Sequence, residues 1–194
     1  KDTTEYKIKV KVLDSYGRYS TEFVKAISTE TYILPSVTNV TPTTKYNQIS
    51  VSVVGANGTN NISKYYYSIN DGAYTESTNS LYIFTGLNEK TNYSIKVKVV
   101  DTLGKESNVY SLSVTTDEYV LPRVTNVSTS STDSSITINV SASGGTGNVV
   151  KYYYSKDNGS NYVESSSSSY TFSNLTSDAT FYVKVYVKDS NNRT

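Results

Sequence analysis

Laid over itself, the chain of 194 residues matches at an offset of 87. YKIKVKVLDSYGRYS from Tyr6 falls on YSIKVKVVDTLGKES from Tyr93, TETYILPSVTNV from Thr29 on TDEYVLPRVTNV from Thr116, and ISKYYYS from Ile62 on VVKYYYS from Val149. One extra residue near Ser160 and Asn161 moves the later offset to 88, so LYIFTGLNEKTNYSIKVKV from Leu81 covers SYTFSNLTSDATFYVKVYV from Ser169. A self-match of this length confines the chain to a tandem array in which one folding unit is written more than once.

Within a repeat the apolar residues alternate with period two, and Val, Ile, Thr and Tyr dominate between turn signals spaced every eight to twelve positions. This is the pattern of an all-β sandwich, and helical periodicity is absent. The strand from Tyr93 shows it best: Tyr93, Ile95, Val97 and Val99 are predicted to face inward, with Ser94, Lys96 and Lys98 outward. By the same rule Tyr6, Ile8, Val10 and Val12 face inward in the first copy. SINDGAY from Ser68 and SKDNGSNY from Ser155 read as hairpin turns in which glycine takes the positive φ, and SGGTGN from Ser143 reads as the turn between two further strands.

FTGLNEKTNY, from Phe84 to Tyr93, resembles the leucine, threonine and tyrosine run that enters strand F of the fibronectin type III domain, with Leu87, Thr91 and Tyr93 in the matching positions. KVVDTLGKES, from Lys98, is similar to the end of strand F and the glycine-containing F to G turn of that family. The resemblance extends over essentially the whole chain and implies tandem seven-stranded sandwiches with a period of about 87 residues. It also implies that Tyr93 and Tyr6 are corner tyrosines whose hydroxyls bond to backbone upstream, with Leu87 and Thr91 as further structural anchors. The third copy departs from this with Ala179 and Phe181, and Val53 and Val140 stand where a strand B tryptophan is common. On this alignment residues 1–33 are strands F and G of an incomplete repeat, 34–119 a complete repeat, and 120–194 a repeat that lacks its last strand. The sequence therefore reads as a segment of a longer array. Completion of one molecule by the F and G strands of another is an alternative that nothing in the sequence demands.

The chemistry open to such a chain is narrow. It has no histidine, cysteine, methionine or tryptophan, and 18 basic against 17 acidic side chains give a net charge of +1. Imidazole bases, thiolates and the commonest metal ligands are excluded, and no nucleic-acid footprint is visible. Serines abound in ESSSSSY, but a nucleophilic serine needs a base beside it. No catalytic, metal or cofactor site is predicted, and no stretch is apolar enough to span a membrane.

The tyrosines of the two KYYYS runs are divided by alternation: Tyr65 and Tyr67 inward and Tyr66 outward, Tyr152 and Tyr154 inward and Tyr153 outward. Tyr66 would share the outer face of its sheet with Lys96 and Lys98. With Tyr153, Tyr182 and Tyr186 these lysines define a candidate partner surface for glycans or anionic wall polymers, although cross-strand packing is employment enough for such rings. The junctions YILPSV and YVLPRV are short, apolar and proline-bearing, which favours a stiff connection. At about 35 Å per repeat, if strands of about ten residues run along the axis, the expectation is a structural spacer, stalk or fibre segment of an extracellular protein at a cell surface or in a virion. Its partners would be neighbouring repeats and other copies in a fibre, and the alternatives are an adhesin module or a phage tail component.

Overall fold

The computed structural model describes residues 3–194, and every regular element in them is a β-strand. They form two compact units, divided between Asp117 and Glu118.

The first unit begins with a hairpin of β1 (Glu5–Val10) and β2 (Phe23–Ser28). It continues with β3 (Ser36–Lys45), β4 (Gln48–Ala56), β5 (Ile62–Ile69), β6 (Thr75–Ser77), β7 (Leu81–Thr85), β8 (Asn92–Asp101) and β9 (Tyr110–Thr115). These seven make two antiparallel sheets, one of order β3-β4-β7 and one of order β6-β5-β8-β9. Their inner faces meet in one core: Val40, Ile49, Val51, Val53 and Phe84 from the first sheet, and Tyr67, Tyr93, Ile95, Val97 and Val114 from the second. Alternation on β8 puts Ile95, Val97 and Val99 wholly out of solvent, while Lys96 and Lys98 stay on the outer face.

The second unit repeats the plan with β10 (Arg123–Ser131), β11 (Ile136–Ser143), β12 (Val149–Ser155), β13 (Val163–Ser165), β14 (Ser169–Phe172) and β15 (Lys184–Asp189), in sheets of order β10-β11-β14 and β13-β12-β15. Its core gathers around Ile138, Val140, Tyr154 and Phe172. β15 is shorter than β8 because Asn92–Ser94 of β8 pair only with β9, and β15 has no such neighbour among the described residues.

The inner tyrosines of the repeated KYYYS runs serve the cores. Tyr67 and Tyr154 are fully buried, and their hydroxyls donate to the carbonyl oxygens of Asn79 (2.9 Å) and Ser167 (2.8 Å). Each ring stacks on one from the opposite sheet, Tyr67 on Tyr82 at 4.7 Å and Tyr154 on Tyr170 at 5.4 Å. The Tyr93 hydroxyl accepts the Asn88 N–H at 2.8 Å, closing a corner at the entry to β8. Leu87 packs against the same core, and Thr91 Oγ1 donates to the Glu89 carbonyl.

Two readings from sequence are corrected. Tyr6, Ile8 and Val10 lie on a hairpin that is exposed along its whole length, and Val12 just beyond β1 is exposed with them, because among the described residues no second sheet covers this hairpin. The equivalent of the Asn88 partner for Tyr6 is Lys1, which lies outside the described residues. At the first hairpin turn the positive φ belongs to Asn70 (49°) and Asp71 (59°), not to Gly72, whose N–H instead closes the turn onto the Ile69 carbonyl. Asn and Asp tolerate this conformation through their short polar side chains. In the second hairpin Asn158 and Gly159 share it.

Burial, not pattern, therefore sets the worth of an apolar residue here. Val97 and Val10 occupy the same place in the repeat, yet Val97 is 0% and Val10 50% exposed. Val97→Ala should cost about 2 kcal/mol in urea unfolding, and Val10→Ala no more than about 0.5 kcal/mol.

Candidate functional site

Two places collect polar and aromatic side chains in a recurring arrangement: the outer face of the β5–β8 and β12–β15 pairs, and the segment that leads into each sandwich.

On the first unit's outer face Tyr66 stands opposite Lys98 on β8 and Glu76 on β6. Its hydroxyl donates to Glu76 Oε2 at 2.6 Å, and Lys64 pairs with the same carboxylate at 2.7 Å. The Lys98 ammonium lies over two rings, 5.3 Å from Tyr66 and 4.8 Å from Tyr74, and pairs with Glu106 at 2.8 Å. Lys96 pairs with Asp71. The second unit places Tyr186 where the first has Lys98, and Tyr162 where it has Tyr74. Tyr153 and Tyr186 stack at 4.4 Å with planes 7° apart, and Tyr162 meets Tyr186 edge-on at 4.8 Å. The Tyr153 hydroxyl donates to Glu164 Oε2 at 2.7 Å, and this bond together with burial pushes its pKa up to about 12. Lys151 and that same hydroxyl hold the Glu164 carboxyl below its ordinary value.

The structure thus brings Tyr66 and Lys98 together, and separately Tyr153 and Tyr186. Lys96 belongs to an ion pair at the hairpin, and Tyr182 lies apart from the stack, 67% exposed beside Asp157. Sequence reasoning missed Tyr74 and Tyr162. Their recurrence just after the two hairpin turns was the available signal. A cation between two rings in one repeat is replaced by a third ring in the next.

The second arrangement was not visible from motif reading. Asp101, at the end of β8, accepts the N–H groups of Leu103 and Lys105 on one carboxylate oxygen, both at 2.9 Å, across a turn in which Gly104 has φ 76°. Its other oxygen takes the hydroxyl of Tyr32, which in turn accepts Asn60 Nδ2 at 2.9 Å. Asp189 does the same for Asn191 and Arg193, with Asn192 at φ 64° and the Tyr119 hydroxyl on its second oxygen. Asp14 binds Tyr16 and Arg18 in the same way, and its second oxygen accepts Arg18 Nε. The residue after each clasp tyrosine is tied to the turn preceding β5 or β12. Ile33 and Thr59 exchange two bonds of 2.8 Å, and Val120 and Thr146 exchange two of 2.8 and 2.9 Å. Glycine is required at these turns, since a Cβ on Gly58 would lie 2.0 Å from the Ile33 carbonyl oxygen and one on Gly145 2.2 Å from that of Val120.

The three-on-four strand order, with a corner tyrosine at the entry to β8, decides the fold type. These are fibronectin type III-like repeats. The sequence matches no family model and no curated protein sequence. Among solved structures the chain is similar to the central fibronectin-III array of RIM-binding protein, at 17% identity and TM-score 0.37 over 80% of this chain and 63% of that one. It is similar to the FN1–FN3 domains of chicken CNTN1 at 16% identity and TM-score 0.37, over 96% of this chain and 70% of that one. A chitinase, ChiA74 from Bacillus thuringiensis, gives 17% identity and TM-score 0.41 over 81% of this chain and 29% of that one. The chain spans less than two thirds of the first of these, and the likeness concerns fold alone. Among the described residues no three acidic side chains gather to hold a metal, and no buried side-chain polar atom lacks a partner.

Burial raises the carboxyl pKa values of Asp101 and Asp189, and the hydrogen bonds from tyrosine and turn N–H groups outweigh it, leaving both below their ordinary value. Their contribution to stability is therefore present above the unfolded carboxylate value of about 4 and is lost as the pH falls through the lowered values. The urea midpoint should drop over that acid range, and Tyr32→Phe with Tyr119→Phe should flatten the drop. A profile unchanged by the two substitutions counts against the clasp. On the outer face, a double-mutant cycle of Tyr153→Ala and Tyr186→Ala should show a coupling of about 1 kcal/mol in unfolding, whereas rings held ready for a ligand would show none.

Proposed function

We propose that the chain is a non-catalytic spacer segment, a series of fibronectin type III-like repeats whose purpose is to set a distance. One observation carries this reading: the spacing of the anchors on either side of the junction. Thr116 and Asp117 are held by the first unit, through Thr116 Oγ1 to the Asn88 carbonyl at 2.6 Å and Thr44 Oγ1 to Asp117 at 2.6 Å. Tyr119 is held by Asp189 of the second unit. A single residue, Glu118, intervenes. The preceding junction is built alike, with Thr29 paired to Thr4, Tyr32 clasped by Asp101, and only Glu30 and Thr31 between them.

So short a span between anchors leaves few backbone dihedrals to bend, which is the property a spacer needs and an adaptable binder does not. No helix among the described residues is long and apolar enough to cross a membrane. The proposed setting is a cell surface or a virion fibre, where side-chain clasps supply the reinforcement that disulfides give other extracellular chains. The adhesive alternative gains no specific support, since the rings of the outer faces are occupied with each other and with ion pairs.

The absence of cysteine makes the test simple. Spin labels on Asn79→Cys and Ser166→Cys, one exposed site in each unit, should give one narrow distance distribution, and Tyr119→Phe should broaden it. A distribution already broad in the parent chain, as for a flexible linker, overturns the spacer reading.

A further inference from the structure

This chain has 20 tyrosines and no cysteine, methionine, tryptophan or histidine. The side chains that ordinarily take up an oxidant are therefore missing, and tyrosine is the residue type left that gives up a single electron readily. Which ring does so is decided by its surroundings. A phenol must lose its proton as it loses its electron, so a base already hydrogen-bonded to the hydroxyl lowers the barrier.

Three directly opposed positions on neighbouring strands of the second unit supply these surroundings: Glu164 on β13, Tyr153 on β12 and Tyr186 on β15. The Tyr153 hydroxyl donates to the Glu164 carboxylate at 2.7 Å, and Lys151 holds that base in place. Toward β15 the Tyr153 ring lies flat on Tyr186, with centroids 4.4 Å and planes 7° apart. Other tyrosines lack one part of this arrangement. Tyr67 and Tyr154 stack on tyrosines, but they are sealed from solvent and their hydroxyls donate to backbone carbonyls, which cannot carry off a proton. Tyr66 has a carboxylate in Glu76 at 2.6 Å, yet the residue opposite it on β8 is Lys98, an ammonium in place of a ring. Tyr162 meets Tyr186 edge-on, with planes 69° apart, and so has no face contact with it.

We propose that Tyr153 and Tyr186 form a covalent cross-linking site, joined as dityrosine by a one-electron oxidant of the haem peroxidase and hydrogen peroxide class. Each phenol gives one electron to the oxidant and releases one proton, Tyr153 to Glu164 and Tyr186 to water. The unpaired electron of each spreads onto the Cε carbons beside the oxygen-bearing carbon. A Cε–Cε bond forms between the facing rings, and the hydrogen on each joined carbon moves to the oxygen of its own ring, which restores both phenols. Two electrons and two protons leave in all, and they reduce one hydrogen peroxide to two waters. The bond ties β12 to β15 and closes the chain between them into a loop, a staple made without cysteine. This inference does not rest on the spacer reading.

The test is to illuminate the full chain, kept dilute, with ruthenium tris-bipyridine and persulfate, which takes the same two electrons. The monomer should become about 2 Da lighter and gain dityrosine fluorescence. Trypsin should then release peptides 152–156 and 185–188 joined through Tyr153 and Tyr186, and the linked protein should unfold at higher urea. Tyr186→Lys, which copies the first unit, should abolish the link, and Lys98→Tyr should create a second one at Tyr66. Glu164→Gln removes the proton acceptor and should slow coupling about tenfold. Links formed instead at the most exposed rings, Tyr16, Tyr19 and Tyr182, dimers in place of linked monomers, no link, or an undiminished yield in Tyr186→Lys overturns the site. An unchanged rate in Glu164→Gln overturns the role of that carboxylate.

Discussion

A strand can bury its alternating apolar side only if it has paired neighbours along its edges and a second sheet across from that side. This constraint governs the protein. β1, β8 and β15 carry nearly the same sequence, and each meets it to a different degree. β8 is paired on both edges and faced by β3, β4 and β7, so Ile95, Val97 and Val99 are sealed. β15 is paired on one edge among the described residues and keeps its opposing sheet, so Val185 is half-covered while Val187 stays buried. Among the described residues β1 pairs with β2 alone, and its apolar residues are exposed. The local code is the same in all three; the burial, and with it the stabilisation, comes from surroundings that the code does not contain.

That difference explains how much the sequence could say. The self-match and the period-two alternation carried the fold class, the strand faces and the division of labour within each KYYYS run. All of these follow from backbone geometry, which is fixed within a few residues. Gly72 shows where local reading falters: Asn, Asp and Gly all admit a left-handed residue, and which of them takes it depends on register with the partner strand. The clasp was hidden for another reason. Tyr32 and Asp101 are 69 residues apart, and nothing near either marks it as one half of a pair. Only their joint recurrence as Tyr119 and Asp189 could have given them away.

The outer faces show how a repeat tolerates change. Exchanging Lys98 for Tyr186 alters charge, size and the kind of attraction, and the cluster remains a ring-centred contact flanked by a glutamate that accepts a tyrosine hydroxyl. A cation held between two π faces and a ring stacked in its place are of similar worth at a half-exposed site. The core allows no such freedom. Tyr67 and Tyr154 keep the same burial, the same stacking partner and the same carbonyl acceptor in both copies.

The clasp also bears on how such a chain can change length over generations. Because the segment entering a sandwich is bound by a carboxylate belonging to that sandwich, everything from Tyr32 to Asp117 travels as one self-sufficient cassette. A gene segment copied or deleted from the codon for Tyr32 through that for Glu118, one period of 87 residues, carries both of its own anchors with it and leaves those of its neighbours intact. Array length can therefore drift by whole repeats through unequal recombination, with no matching substitution needed at the seams.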